Sequence, residues 1–126
     1  MKELGAKLLA ISTDSLYSHK VFKDTSPSMK NAHYPLVSDR SQQISRAYRV
    51  LDEHAGAAVR ATVLVNPNGI IASKTVYPKE VGRNLHELVR LFEALMFNQQ
   101  TGLGVPANWT PGQPGIHRDI ANAGKY

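Results

Sequence analysis

Cysteine is absent from all 126 residues. Disulfides, thiolate-ligated zinc and thiol catalysis are therefore outside what this chain can do by itself. Long apolar runs are missing too: none approaches the ~20 residues needed to cross a bilayer as a helix. The opening Met1-Lys2-Glu3-Leu4-Gly5-Ala6-Lys7 has an acid early and too short an apolar stretch for a secretory signal. The expectations are no membrane partner and a cytoplasmic location. Acidic residues are in the minority, ten against fifteen Lys and Arg, giving net +5 and a pI near 9.6. Such a balance can signal an anionic partner. Here the basic residues are spread from Lys2 to Lys125, with no helix-turn-helix signature, zinc-finger spacing or aromatic-studded basic strand. A solvated basic surface is expected, and no nucleic-acid partner. Metal and cofactor signals are also lacking. The five histidines His19, His33, His54, His86 and His117 form no i,i+4 pair. Gly102-x-Gly104 is a lone glycine pair, not a phosphate loop or dinucleotide fingerprint.

What remains is an ordinary globular composition, 42% hydrophobic and 20% charged, in a chain of single-domain length. Lys7–Ser12 is a short apolar run, expected as a buried strand. Asp14 or Ser15 can cap a helix over 16–22, broken at Thr25-Ser26-Pro27-Ser28. Tyr34–Ser38 is extended, and Pro35 puts it at a sheet edge or in a connector. Ser41 is expected to cap a helix carrying Ile44, Ala47, Tyr48 and Leu51. Ala61–Asn66 is β-branched, Pro67-Asn68-Gly69 is a turn, and Ile70–Tyr77 is the return strand of a hairpin. Asn84 and Glu87 have the spacing of a capping box for a helix striped with Leu85, Leu88, Val89, Phe92, Leu95 and Met96. From Asn98 onward Gly and Pro become frequent, and that tail is expected to be extended and poorly packed except near Trp109.

Six segments then carry a resemblance. Ile11–His19 resembles the peroxiredoxin S-x-D-S-x-x-S-H stretch, and Tyr34–Asp39 its Y-P-L-x-S-D. Ala47–Glu53 is similar to A-Y-G-V-L-D-E, with Arg49 in place of Gly. Arg60–Gly69 resembles R-G-T-F-I-I-D-P-x-G, and Val81–Asn84 matches V-G-R-N/S. Pro106–Gly112 matches the segment after the resolving cysteine of typical two-cysteine members. The segments stand in the family's order, so the chain is expected to be α/β. It should be a thioredoxin-like peroxiredoxin domain truncated at its N-terminus, spanning 1–97, with an extended C-terminal arm over 98–126.

The resemblance implies that an intact member reduces hydrogen peroxide and alkyl hydroperoxides with a thiol donor. It implies that Arg60 is the active-site arginine and Arg83 a supporting one, and that dimers form through the strand Ile70–Tyr77. It also implies two losses. The segment bearing the peroxidatic cysteine should precede Glu3, and Val105 stands where the resolving cysteine should be. The expectations are negligible peroxidase activity from this chain alone, and a hydroperoxide substrate only if the missing segment is supplied. A non-enzymatic module that assembles with itself or with intact subunits is the alternative. In the family the missing strand lies between those matching Lys7–Ser12 and Ala61–Asn66. The two may pair directly, a second copy may add a strand, or Met1 may be internal to a longer polypeptide.

Three further groupings are set aside. Asp14, Ser15 and His19 lie too close in sequence for a Ser-His-Asp triad, because the first two suit capping. Asp52, Glu53 and His54 are consecutive and cannot converge on one ion. Asn108-Trp109-Thr110 has glycosylation spacing but is followed by Pro111.

Overall fold

The computed structural model describes residues 2–125. Its chain order is β1 (Ala10–Ser12), α1 (Leu16–Thr25), β2 (Leu36–Ser38), α2 (Gln43–Ala47), β3 (Leu51–Asp52), β4 (Ala57–Ala58), β5 (Arg60–Val65), β6 (Ile71–Tyr77) and α3 (Leu85–Thr101). One-turn 3-10 helices lie at Lys2–Leu4 and Ile120–Asn122. Two compact units share the chain. One holds residues 2–63 and 73–82, the other 64–72 and 83–125.

In the first unit β1 and β2 run parallel, with Ile11 opposite Val37. The strand expected from Lys7 begins only at Ala10, and Leu8 and Leu9 remain about half exposed. Ser15 caps α1, its Oγ accepting from Ser18 N at 3.1 Å. The helix ends one residue before Pro27, at a Ser26 cap. None of its residues is buried. Met29 is buried nearby and accepts at Sδ from the Tyr34 hydroxyl.

Helix α2 departs from expectation. Its N-cap is Gln42, in a left-handed conformation at φ 63° and without a side-chain cap bond. Asp39 replaces the expected Ser41. Its Oδ1 accepts from Ile44 N at 3.0 Å, and its Oδ2 accepts from Ser45 N and Ser45 Oγ, both at 2.7 Å. A carboxylate beside the helix N-terminus satisfies otherwise orphaned N–H groups and meets the positive end of the dipole. Burial would raise the Asp39 pKa. The Ser45 and Ile44 bonds, aided by the Arg46 charge, outweigh it and hold the carboxyl below its ordinary value. The helix is also shorter than expected: Leu51 is not on it but pairs with Ala58 in the antiparallel β3–β4 ribbon. Arg49, between the two, has φ 54°. That is the left-handed region glycine enters without strain, and glycine is the residue the resembling pattern carries there.

Strands β5 and β6 form a separate two-stranded sheet, a hairpin whose tip lies in the second unit. Among the described residues β1 pairs only with β2 and β5 only with β6, so the direct closure of β1 onto β5 does not occur.

In the second unit Asn84 caps α3, its Oδ1 accepting from Glu87 N at 3.1 Å. Among the described residues the Glu87 carboxylate is given no return bond to the Asn84 N–H. It takes Arg90 instead, from Nε at 2.6 Å and Nη2 at 2.9 Å. The helix continues to Thr101 and ends on Gly102 at φ 72°.

The segment beyond it, expected to be poorly packed except near Trp109, is mostly exposed and closes around that residue. Gly104 and Ile116 exchange two backbone hydrogen bonds of 2.8 Å, closing the segment between them into a compact loop. Trp109, 2% exposed, fills that loop and packs on Phe97 with ring centroids 5.0 Å apart. Its Nε1 donates to Gln113 O at 2.9 Å, and Arg90 Nη1 donates to Trp109 O at 3.0 Å. At Gly115 a Cβ would lie 2.7 Å from Phe97 Cε1 and 2.8 Å from Leu103 Cβ. Here the glycines permit close packing rather than looseness.

Candidate active site

Arg60 opens β5 and is half-buried in the first unit. The strand start fixes its backbone, and Nη2 donates to Lys79 O at 2.9 Å. Lys79 lies in the connection after β6, with its own ammonium 3.8 Å from Glu80. The Arg60 Nε atom is buried without a hydrogen-bond partner. A guanidinium keeps its charge at any physiological pH and presents donors in a planar fork. With one arm tied to a carbonyl, the others suit a small anion or paired oxygens.

Arg83 lies in the second unit, exposed, directly before the Asn84 cap of α3. It is engaged with other groups of the protein. Val105 is half-buried and follows Gly104, so the residue at the expected sulfur position lies inside the closed loop.

A second polar cluster surrounds Ser12 at the end of β1. Ser12 Oγ donates to Asp14 Oδ2 at 3.0 Å and forms a short bond with His19 Nε2. The Asp14 backbone N–H also donates to Ser12 Oγ. One hydroxyl proton cannot serve both acceptors. With it on Asp14, His19 Nε2 must be the donor. His19 Nδ1 is buried and has no partner. A Ser-His-Asp triad needs the carboxylate on Nδ1 and the imidazole free to take the hydroxyl proton; this arrangement has neither. The sequence motif pointed to Asp14, Ser15 and His19, and Ser15 is indeed used as a cap. The hub is Ser12, which the motif contained but did not single out. A cavity of about 380 Å³ beside it is lined by Ile11, Ser12, Asp14, His19, Phe22 and Leu36, among others.

The run Asp52, Glu53, His54 diverges. Asp52 Oδ1 accepts from His54 N and Ala55 N, while Glu53 takes Arg46 through two bonds of 3.1 Å. Those bonds hold the Glu53 carboxyl below its ordinary value. Among the described residues no three His, Asp or Glu side chains are grouped to hold a metal ion, and no helix is long and apolar enough to cross a membrane.

Comparison with known proteins gives these positions a context. Residues 1–74 match the AhpC/TSA family. Peroxiredoxin 2 of Thermoplasma acidophilum is 40% identical over 115 residues, which are 90% of this chain and 58% of that protein. The peroxiredoxin of Thermoplasma volcanium is 38% identical, over 91% of this chain and 58% of its own length. Among solved structures, the reduced 2-Cys peroxiredoxin of Plasmodium vivax superposes with a TM-score of 0.85 at 32% identity, covering 90% of this chain and 60% of that one. Enterococcus faecalis AhpC gives 0.79 at 37%, covering 83% and 63%. The fold is thus that of a thioredoxin-like peroxiredoxin domain, and the chain spans about three-fifths of the length of the relatives it matches.

Proposed function

Because the chain belongs to the AhpC/TSA family of peroxiredoxins, we propose that it carries the arginine wall of a hydroperoxide-reducing site but no nucleophile. It is therefore inactive alone. In the reaction of an intact member, a thiolate attacks one peroxide oxygen and the O–O bond breaks. Sulfur becomes sulfenic acid, and the other oxygen leaves as water or an alcohol. A thiol donor then returns the sulfur to its reduced state. Arg60 would stabilise the thiolate and hold the peroxide oxygens through its fork, and the family motif gives Arg83 a supporting role. The observation that carries this reading is compositional: with no cysteine, the chain offers no thiolate to attack the peroxide and be regenerated by a thiol donor. Peroxide consumption, measured with dithiothreitol or thioredoxin as donor, should not exceed that of a heat-killed control. Turnover above it would sink the reading.

A second reading is favoured by the unmatched strands. Among the described residues β1 and β5 each have a single strand neighbour, and Ile71 and Val76 on β6 are about half exposed. An open edge with uncovered apolar side chains is a template for another chain. In this reading the chain is an assembly module. It pairs through β6, or accepts a strand from a second copy or an intact peroxiredoxin subunit, with the arm beyond α3 contributing to the contact. A cytoplasmic homodimer fits it. Light scattering that finds a clean monomer, with no mass gain on adding a two-cysteine peroxiredoxin, would count against it.

A further inference from the structure

The hairpin tip holds two asparagines with opposite fates. Asn66 accepts three successive backbone N–H groups. Its carbonyl takes Gly69 N, and its side-chain Oδ1 takes Asn68 N and Ile70 N, each at 3.0 Å. Asn68 is exposed, and its side-chain amide has no hydrogen bond among the described residues. It is the one asparagine followed by glycine; the others precede Ala32, Pro67, Leu85, Gln99, Trp109 and Ala123. Gly69, at φ 79°, has nothing within 4 Å of where a Cβ would stand.

We propose that Asn68 is a deamidation site and that Asn66 sets its rate. The Gly69 backbone nitrogen attacks Asn68 Cγ and a nitrogen–carbon bond forms. The Cγ–Nδ2 bond breaks, and the amide nitrogen leaves as ammonia with the proton lost by Gly69. Water then opens the five-membered imide at either carbonyl, giving aspartate or isoaspartate. Only water is consumed, and nothing is oxidised or reduced. Glycine favours the attack because no side chain crowds its nitrogen. Asn66 cannot follow the same route, since the Pro67 nitrogen carries no hydrogen.

The turn opposes the reaction while it is closed, because the attacking nitrogen is the one donating to Asn66 O. The rate thus follows opening of the tip, which the Asn66 oxygens resist. Isoaspartate would add a methylene to the backbone between positions 68 and 69. Asn66 could then no longer hold the N–H groups of Gly69 and Ile70 in register, and the hairpin would lose its turn. Either product also adds a carboxylate to a chain of net charge +5.

The test ages the full chain at mildly alkaline pH and physiological temperature. Peptide mapping by mass spectrometry then locates the conversion, with fragmentation that separates isoaspartate from aspartate. Conversion is expected to concentrate at Asn68 and to spare Asn66. Asn66→Ala should speed it several-fold. Asn66→Asp, which keeps both oxygens, should leave it near the original rate, and Gly69→Ala should slow it several-fold. Tryptophan fluorescence from Trp109 reports whether each variant keeps the rest of its unit folded, and Asn66→Asp decides the matter if the alanine variant does not. The proposal fails if Asn68 converts no faster than the other asparagines of the chain, or as fast as in an unstructured peptide with the same Asn-Pro-Asn-Gly sequence, since the turn would then not set the rate. It also fails if removing or keeping the Asn66 side-chain oxygen makes no difference to the rate.

Discussion

Two helices of this chain are comparably amphipathic and end in opposite conditions. Helix α1 leaves Leu16, Tyr17, Val21 and Phe22 exposed, Tyr17 at 85%. Helix α3 buries Ala94 and holds residues 87–97 at least partly covered. The difference is what each helix is given to pack on. The sequence following α3 turns back on it, closes through Gly104 and Ile116, and seats Trp109 on Phe97. The sequence around α1 supplies a parallel pair of three-residue strands and little else. An apolar stripe specifies that a helix face will be buried, but not where the covering atoms come from. One stripe finds its cover within its own unit, and the other is only partly covered, by β2, among the described residues of its unit.

The strongest way to break the contrast is to empty the closed side. Trp109→Ala removes the most buried apolar side chain of the second unit and leaves the loop with no filling. The expected cost is about 3–5 kcal/mol, the usual range for truncating a core aromatic. Urea unfolding followed by far-ultraviolet circular dichroism checks it. A cost below about 1 kcal/mol would mean that the loop is held by its backbone bonds and not by the indole.

A smaller effect is expected at the polar latch on the same loop. Glu87 holds Arg90, and Arg90 holds the Trp109 carbonyl. The Arg90 hydrogen bond and charge outweigh desolvation and keep the Glu87 carboxyl below its ordinary value. The sign follows from linkage. A carboxylate with a depressed folded pKa contributes stability above its unfolded pKa and loses that contribution as pH falls through the folded value. Urea midpoints should therefore fall on acidification below the ordinary glutamate range. In Glu87→Gln the neutral-pH midpoint should be lower and the acid drop smaller. The group is well exposed, so the change is modest and salt-sensitive. Identical pH slopes in the two proteins would remove Glu87 from the latch.

The same contrast explains what could be read from residues alone. The Asn84 cap and stripe of α3, the Ser15 cap of α1 and the Pro67-Asn68-Gly69 turn are local, each set by residues within a few positions. Asp39 was hidden because it caps α2 from three residues before the N-cap, across a left-handed Gln42 that no propensity favours. The loop after α3 was legible only at Trp109, because glycine and proline content reports backbone freedom, whereas Gly115 is needed for a close approach. At the candidate site, Arg60 and Arg83 are expectations from motif order. The tie from Arg60 to Lys79 O, nineteen residues away, has no local signature. Arg49 is the reverse case: the motif expects glycine, and φ 54° supplies the reason.

The smallest stability change belongs to the open side. Tyr17 and Val21 lie one turn apart on α1 and touch mainly solvent. Replacing both, Tyr17→Ser and Val21→Ser, should shift unfolding by no more than about 0.5 kcal/mol, as for surface positions away from any cap or buried partner. A core pair truncated in the same way would cost several times more. What should change is association, because a contiguous apolar face loses two of its exposed members. Light scattering across a concentration series measures this: the variant should show less self-association than the unmodified chain at the same stability. A large stability loss instead would mean that these side chains are covered in the folded protein, and α1 would then be as closed as α3.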